Sequence, residues 1–174
     1  MVHSEFPLQR LVQLASSPFQ VGFARQVVRM LPPSPVAAYE PTRDGLLILA
    51  GNEAALRAQT EMLCGMYGDD LLPQPPQVRY ISLGNRPYEP IMRVRVRVAG
   101  EYRDAVCADL AEREALLLGE RARAGACLLR AEAPLRTLLG YGEALAGLAA
   151  GATWHRTVLD RYVPMRRPPG GRAA

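Results

Sequence analysis

The sequence predicts an α+β protein built from two similar units in tandem. Two runs in the second half, residues 91–98 and 153–163, alternate apolar and polar side chains. That period is typical of strands with one buried face. Between the runs lie two segments with helical spacing and two short strand-like segments, which gives the order βαββαβ of a ferredoxin-like domain. The first half repeats this order, so we predict two tandem ferredoxin-like units.

The first unit can be followed element by element. Its strands are predicted at residues 8–15, 36–39, 46–50 and 78–81. Ser17 is a candidate N-cap and Pro18 a favourable first residue for the first helix, which Pro32 ends. Asn52 is a candidate cap for the second helix, and Gly68 stops it.

The second unit has the same predicted elements. Its strands are predicted at residues 91–98, 116–118, 126–129 and 153–163. Tyr102, Val106 and Leu110 recur at helical spacing and predict the first helix. Pro134 opens the last helix, and the basic stretch 121–125 is the predicted turn between the inner strands.

These elements predict the domain organisation. The predicted segments are a first unit at 5–82, a linker at 83–87, a second unit at 88–165 and a basic Pro/Gly-rich tail at 166–174. Each unit of about 80 residues is small enough to be only marginally stable alone. We therefore expect the two units to pack on each other or on a partner.

Composition places the chain among globular proteins. Apolar residues make up 49% and charged residues 22% of the 174, which suits a folded core. The N-terminus has no secretory signal pattern, and the longest weakly apolar run, 144–152, is far below the ~18 residues that span a bilayer. We expect a soluble, cytoplasmic protein with no membrane partner.

The residues that hold metals and disulfides are scarce. Cys64, Cys107 and Cys127 are odd in number and form no CxxC pair, so we expect reduced thiols on apolar faces. His3 and His155 are the only histidines. We therefore predict no metal site and no cofactor.

Catalytic chemistry is also poorly supported. All 21 basic residues are arginine, which excludes a P-loop and Schiff-base chemistry because both need lysine. Residues 17–25 with the Asp44–Gly45 turn loosely resemble acylphosphatase, but Ala24 and Pro41 stand where that chemistry needs arginine and asparagine. We predict no catalytic residues, no nucleotide cofactor and no enzyme activity.

Positive charge is concentrated in the second half. Residues 1–85 hold six arginines and seven acids, whereas residues 86–174 hold fifteen arginines and ten acids. Arg93, Arg95 and Arg97 share one strand face at intervals of about 7 Å, and such a row suits phosphate groups. The candidate nucleic-acid-binding residues are Arg93, Arg95, Arg97, Arg121, Arg123 and Arg130.

A structural interpretation competes with this one. The stripe contains no stacking aromatic, which RNA-binding sheets usually add, and Glu132 or another acid would pair with a solvated arginine. Trp154 and Tyr162 are predicted on one face of the last strand, where aromatics are more often core or interface. Charge alone therefore leaves both interpretations open.

Particular residues of the second half resemble the last domain of elongation factor G. They are Pro87-Tyr88-Glu89-Pro90-Ile91-Met92-Arg93-Val94, Asp109-Leu110, Ala133-Pro134-Leu135, Leu139-Gly140-Tyr141, Leu145 and Tyr162-Val163-Pro164. The first half, with residues 46–53 and 76–80, resembles that factor's third domain. The family's GTPase and fourth domains find no counterpart in these 174 residues.

The resemblance implies contact with the ribosome, and two hypotheses follow. The first is a non-catalytic, ribosome- or RNA-associated accessory that binds through the basic second unit. However, Ala111, Ala115 and Ala146 lie where the family pattern has other residues, polar ones at 111 and 146. The alternative is therefore a protein-interaction or scaffold subunit that kept the fold but lost ribosome binding, with a protein partner or self-association.

Overall fold

The computed structural model describes residues 4–150 and 153–165, which form two antiparallel sheets. The first unit contains β1 (Leu8–Leu14), α1 (Gln20–Met30), β2 (Ala37–Pro41), β3 (Leu46–Ala50), α2 (Glu53–Tyr67), β4 (Leu71–Pro73) and β5 (Gln77–Val78). Its sheet order is β2-β3-β1-β4, and β5 also pairs with β1. The first strand thus lies between the third and the last, as in the ferredoxin-like fold.

The second sheet repeats this arrangement. Its elements are β6 (Ile81–Leu83), β7 (Arg86–Ala99), α3 (Arg103–Glu112), β8 (Leu116–Arg123), β9 (Ala126–Pro134), α4 (Leu135–Leu138), α5 (Tyr141–Leu148) and β10 (Trp154–Pro164). The order is β10-β7-β9-β8, with β6 paired to β7. Two ferredoxin-like units in tandem are therefore confirmed.

The helix ends match the predicted signals unequally. Asn52 caps α2 as predicted, since its Oδ1 accepts a hydrogen bond from the amide of Ala55 at 2.9 Å, and Gly68 ends the helix at φ +58°. The prediction for Ser17 is wrong. Its Oγ accepts from the amide of Phe19 at 3.2 Å in a turn, and α1 begins at Gln20.

The end of the first unit differs from the predicted strand at 78–81. Leu71–Pro73 and Gln77–Val78 pair with β1, whereas Ile81–Leu83 pairs with β7 in the second sheet. Proline cannot donate to a ladder, so residues 73–76, with three prolines, interrupt the strand. The boundaries at 82 and 87 stay predictions, and the tail at 166–174 lies outside the described residues.

The two units contact each other through α2. Both carboxylate oxygens of Glu53 accept from the amide of Gly140, at 3.0 and 3.1 Å. Arg57 forms an ion pair with Glu143 at 3.2 Å. Gly140, at φ +74°, separates α4 from α5 and divides the last predicted helix in two.

Two other features bear on stability. Gly45 closes the β2–β3 turn at φ +145°, and a Cβ there would lie 2.4 Å from the carbonyl oxygen of Val12. Tyr141 is buried in the second unit, and its hydroxyl finds no hydrogen-bond partner among the described residues.

Within the same residues, no helix is both long and apolar enough to cross a membrane.

Candidate nucleic-acid interface

The second sheet has one covered face and one open face. Val94, Val96 and Val98 on β7 are buried beneath the helices. Arg93, Arg95 and Arg97 alternate with them and are exposed on the opposite face. The predicted alternation of this strand is therefore confirmed, and it directs three guanidinium groups to solvent.

Strand pairing brings the other candidate residues to the open face. Directly opposed residues in an antiparallel ladder point to the same side of a sheet. Arg130 lies opposite Arg95, Arg121 lies opposite Leu128, which itself faces Arg97, and Arg123 lies opposite Ala126 at the end of the same face. All six candidate arginines share the face, while their role in binding stays a prediction.

Arg156 also lies on the open face, although it is not among the six arginines predicted from the sequence. Arg156 lies opposite Arg95 on β10, so Arg130, Arg95 and Arg156 form a line across β9, β7 and β10, which we call the arginine row. Neighbouring strands are about 4.8 Å apart. Alternation within residues 153–163 predicts which residues share a face of β10 with Arg156. Only the register between β10 and β7 shows that Arg156 lies opposite Arg95.

Gly119 accommodates one member of the row. It lies opposite Arg130 on the edge strand β8. A Cβ at position 119 would lie 3.0 Å from Nη2 of Arg130, so the absence of a side chain leaves room for the guanidinium. The guanidinium of Arg130 therefore lies over Gly119 on the edge strand β8.

Arg93 has a different environment from the row. Its Nη2 donates to Oδ1 of Asp160, and Arg161 donates to both carboxylate oxygens of Glu132 at 2.9 Å. The hydrogen bonds from Arg161 hold the pKa of Glu132 below its usual value. The predicted pairing of the stripe with an acid therefore occurs at Arg93, although Asp160 and not Glu132 makes the hydrogen bond.

Charge on the remainder of the open face is not neutralised in this way. We call the following six residues the basic face: Arg95, Arg97, Arg121, Arg123, Arg130 and Arg156. Within residues 4–150 and 153–165, none of them forms an ion pair with a carboxylate. The basic face therefore presents uncompensated positive charge to solvent.

An aromatic residue adjoins the basic face. Trp154 on β10 lies opposite Arg97 on β7 and is 48% exposed. The neighbouring strand β10 thus supplies the aromatic side chain that the arginine stripe of β7 lacks. Tyr162 lies opposite Pro90, on the covered side, and the prediction that it shares a face with Trp154 is wrong. A β-bulge at Asp160 adds one residue between them, which reverses the alternation.

The described residues offer little for metal or thiol chemistry. No group of three or more His, Cys, Asp or Glu side chains is placed to hold a metal ion in that part of the chain. Burial raises the pKa of the Cys127 thiol, and Cys64 and Cys107 are half-buried. His155 packs edge-on against Tyr141, with ring centroids 5.8 Å apart.

Comparison with known proteins bears on the same half of the chain. Residues 86–170 match the family model described as elongation factor G C-terminus. The second half of the chain is homologous to the C-terminal domain of elongation factor G. The resemblance of the first half to the third domain stays a prediction.

Two curated relatives cover this region. Elongation factor G of Ruegeria pomeroyi is 30% identical over 82 residues, which are 47% of this chain and 12% of that protein. The mitochondrial ribosome-releasing factor 2 of Danio rerio is 32% identical over 82 residues, which are 47% of this chain and 11% of that protein. The chain thus spans about a ninth of the length of the curated relatives it matches.

One solved structure is similar over nearly the whole chain. A crystal structure of a protein from Thermus thermophilus superposes with a TM-score of 0.63 at 15% identity, over 97% of this chain and 42% of that one. At this identity the likeness concerns the fold alone. It extends the similarity in architecture across both units.

Proposed function

We propose that this protein is a non-catalytic, ribosome- or RNA-associated accessory that holds phosphate groups on its basic face. The observation that carries the proposal is the arginine row. Arg130, Arg95 and Arg156 are directly opposed on adjacent strands, and like charges in this position destabilise a sheet. An anionic ligand that lies across the row removes this repulsion.

The names of two relatives of this chain support the ribosome as the source of the RNA in the proposal. One curated relative is named an elongation factor and another a ribosome-releasing factor. The matched region contains all six arginines of the basic face, because β7, β8, β9 and β10 all lie between residues 86 and 170. The proposed contact therefore lies within the part of the chain for which homology is established.

Phosphate binding predicts a steep dependence on salt. If all six arginines of the basic face contact phosphates of a single strand, the slope of log K against log salt is about −4, at about −0.7 per contact. Raising salt from about 50 to about 200 mM then weakens binding roughly 300-fold. A ligand held mainly by apolar contacts would show a much smaller change.

Co-sedimentation with purified ribosomes at these two salt concentrations tests the proposal. We expect binding at low salt that the triple variant R95E/R97E/R130E abolishes. The matched control is R25E/R29E/R43E, which changes the net charge equally at exposed positions of the first unit. Retained binding by the first variant, or equal loss in both, would refute the assignment of the basic face.

A specific observation also favours the alternative protein-interaction function. Leu116, Leu117 and Leu118 are 60%, 43% and 46% exposed, and they begin β8, an edge strand of the second sheet. An edge strand with exposed apolar residues is a template for pairing with another chain. This function predicts a complex that is insensitive to salt, and a monodisperse monomer in light scattering together with no protein recovered in a pull-down would contradict it.

A further inference from the structure

Trp154 is about half exposed on the open face of the second sheet. The residue begins β10 on the open face of the second sheet, and its ring makes no aromatic contact within the described residues. Tryptophan is highly buried on average, so a side chain that is 48% exposed leaves a large apolar surface in water. That surface is available to a planar ligand.

The neighbours of Trp154 are cationic. Arg97 lies directly opposite, and Arg95 with Arg156 lies two residues further along the ladder. Side chains at such opposite and diagonal positions are within reach of one ligand, since their Cβ atoms are about 4.5–8 Å apart. The juxtaposition of one indole with three arginines combines a surface for a base with charges for the adjoining phosphates.

Such a site discriminates between forms of RNA. In a duplex both faces of each base are stacked and its edges are paired, so an indole on the surface of a sheet cannot reach a base face. An unpaired nucleotide can turn its base onto an aromatic side chain, and single-stranded segments are recognised in this way. The chemistry at Trp154 therefore favours unpaired nucleotides.

We infer that the RNA bound by the basic face is unpaired at this edge of the sheet, with one base stacked on Trp154 and its phosphates held by Arg97, Arg95 and Arg156. The inference rests on the proposed function and adds the class of RNA. It also assigns to β10 a contact that neither the predicted stripe nor the family match supplies.

Tryptophan fluorescence tests the inference directly, because Trp154 is the single tryptophan of the chain. The probes are a single-stranded RNA of roughly 12 nucleotides, a length within the about 4–16 nucleotides that an OB-fold covers, and the same RNA annealed to its complement. We expect saturable quenching by the single strand and little by the duplex. Anisotropy of the labelled RNA should give the same midpoint.

Variants separate stacking from charge. W154A should weaken binding of the single strand about tenfold, and W154F should stay within threefold of the original protein because its ring still stacks. The matched control is F19A, which removes an aromatic that is 76% exposed in the first unit, and it should bind normally. Circular dichroism of each variant establishes that the fold is retained.

The outcomes distinguish this inference from the proposed function. The stacking site is overturned if W154A binds the single strand normally and if single-stranded and duplex RNA quench the fluorescence of Trp154 equally. If R95E/R97E/R130E still loses RNA binding in that case, the assignment of the basic face stands. If neither RNA binds but the protein still co-sediments with ribosomes, the stacking site is overturned and the proposed function stands; if ribosome binding is lost as well, both are overturned. Two results together support the inference: the single strand quenches the fluorescence of Trp154 in the original protein, and W154A, unlike W154F and F19A, binds the labelled single strand more weakly.

Discussion

Arg95 and Arg93 lie on the same face of β7, yet the same substitution should affect stability in opposite directions. Arg95 is opposed by Arg130 and Arg156, whereas Arg93 donates to Asp160 and lies opposite Glu132. Replacement by glutamine removes one positive charge at either site and keeps a polar, unbranched side chain, which is shorter to the same extent at both positions. We therefore expect R95Q to stabilise the protein and R93Q to destabilise it.

The size of each effect follows from the charges that surround the two residues. Cross-strand charge pairs are worth roughly 0.2–1 kcal/mol each, so relief of two exposed repulsions raises the free energy of unfolding by about 0.5 kcal/mol. Arg93 is 49% and Asp160 19% exposed, and a pair of this kind contributes at most about 1 kcal/mol. The two variants should differ by about 1 kcal/mol.

Urea unfolding followed by circular dichroism measures the difference, because urea is uncharged and does not screen. The titration is run at low salt and again at about 1 M salt, where the screening length is about 3 Å. The difference between the variants should fall by more than half at high salt. Shifts of the same sign at low salt, or a difference that persists unchanged at 1 M, would refute the electrostatic reasoning.

Three further predictions concern packing, and each is measured by urea unfolding. G45A should lose about 1–3 kcal/mol through backbone strain, whereas G51A, with nothing within 4 Å of an added Cβ, should change little; equal losses would contradict this. Y141F removes a buried hydroxyl without a partner and should gain about 1 kcal/mol. Because burial raises the pKa of Tyr141 above its unfolded value of about 10, stability is present below pH 10 and lost as pH rises, and Y141F should lessen that alkaline loss. E53A should lower the free energy of unfolding by about 1 kcal/mol because it removes the acceptor for the amide of Gly140. E53Q keeps one acceptor oxygen and should lower it by less. If E53A unfolds like the original protein, this contact between the units contributes nothing to stability.

Local patterns predicted much of the fold. The alternation of β7 depends only on which side chains prefer water, so it identified the buried valines and the exposed stripe. Asn52 and Gly68 act through their own backbone neighbours, and both ends of α2 were predictable for that reason. The predicted order of elements then sufficed to identify both ferredoxin-like units.

Features set by register could not be predicted in the same way. The bulge at Asp160 inserts one residue into β10 and reverses the face of everything that follows, which moves Tyr162 to the covered side. The same bulge places Asp160 where it pairs with Arg93. Neither event leaves a periodic signal in the sequence, because a ladder accepts an extra residue wherever its partner strand allows one.

The ion pair at Arg93 also changes the direction in which charge runs across the sheet. The sequence predicts a stripe along β7, but one end of that stripe is neutralised by Asp160. The remaining arginines extend from Arg121 and Arg123 on β8 through the arginine row to β10, a distance of about 14 Å across four strands. If the proposed RNA strand follows this uncompensated charge, it crosses the strands of the sheet and reaches Trp154 at the far edge, where we expect a base as well as the phosphates to contact the protein.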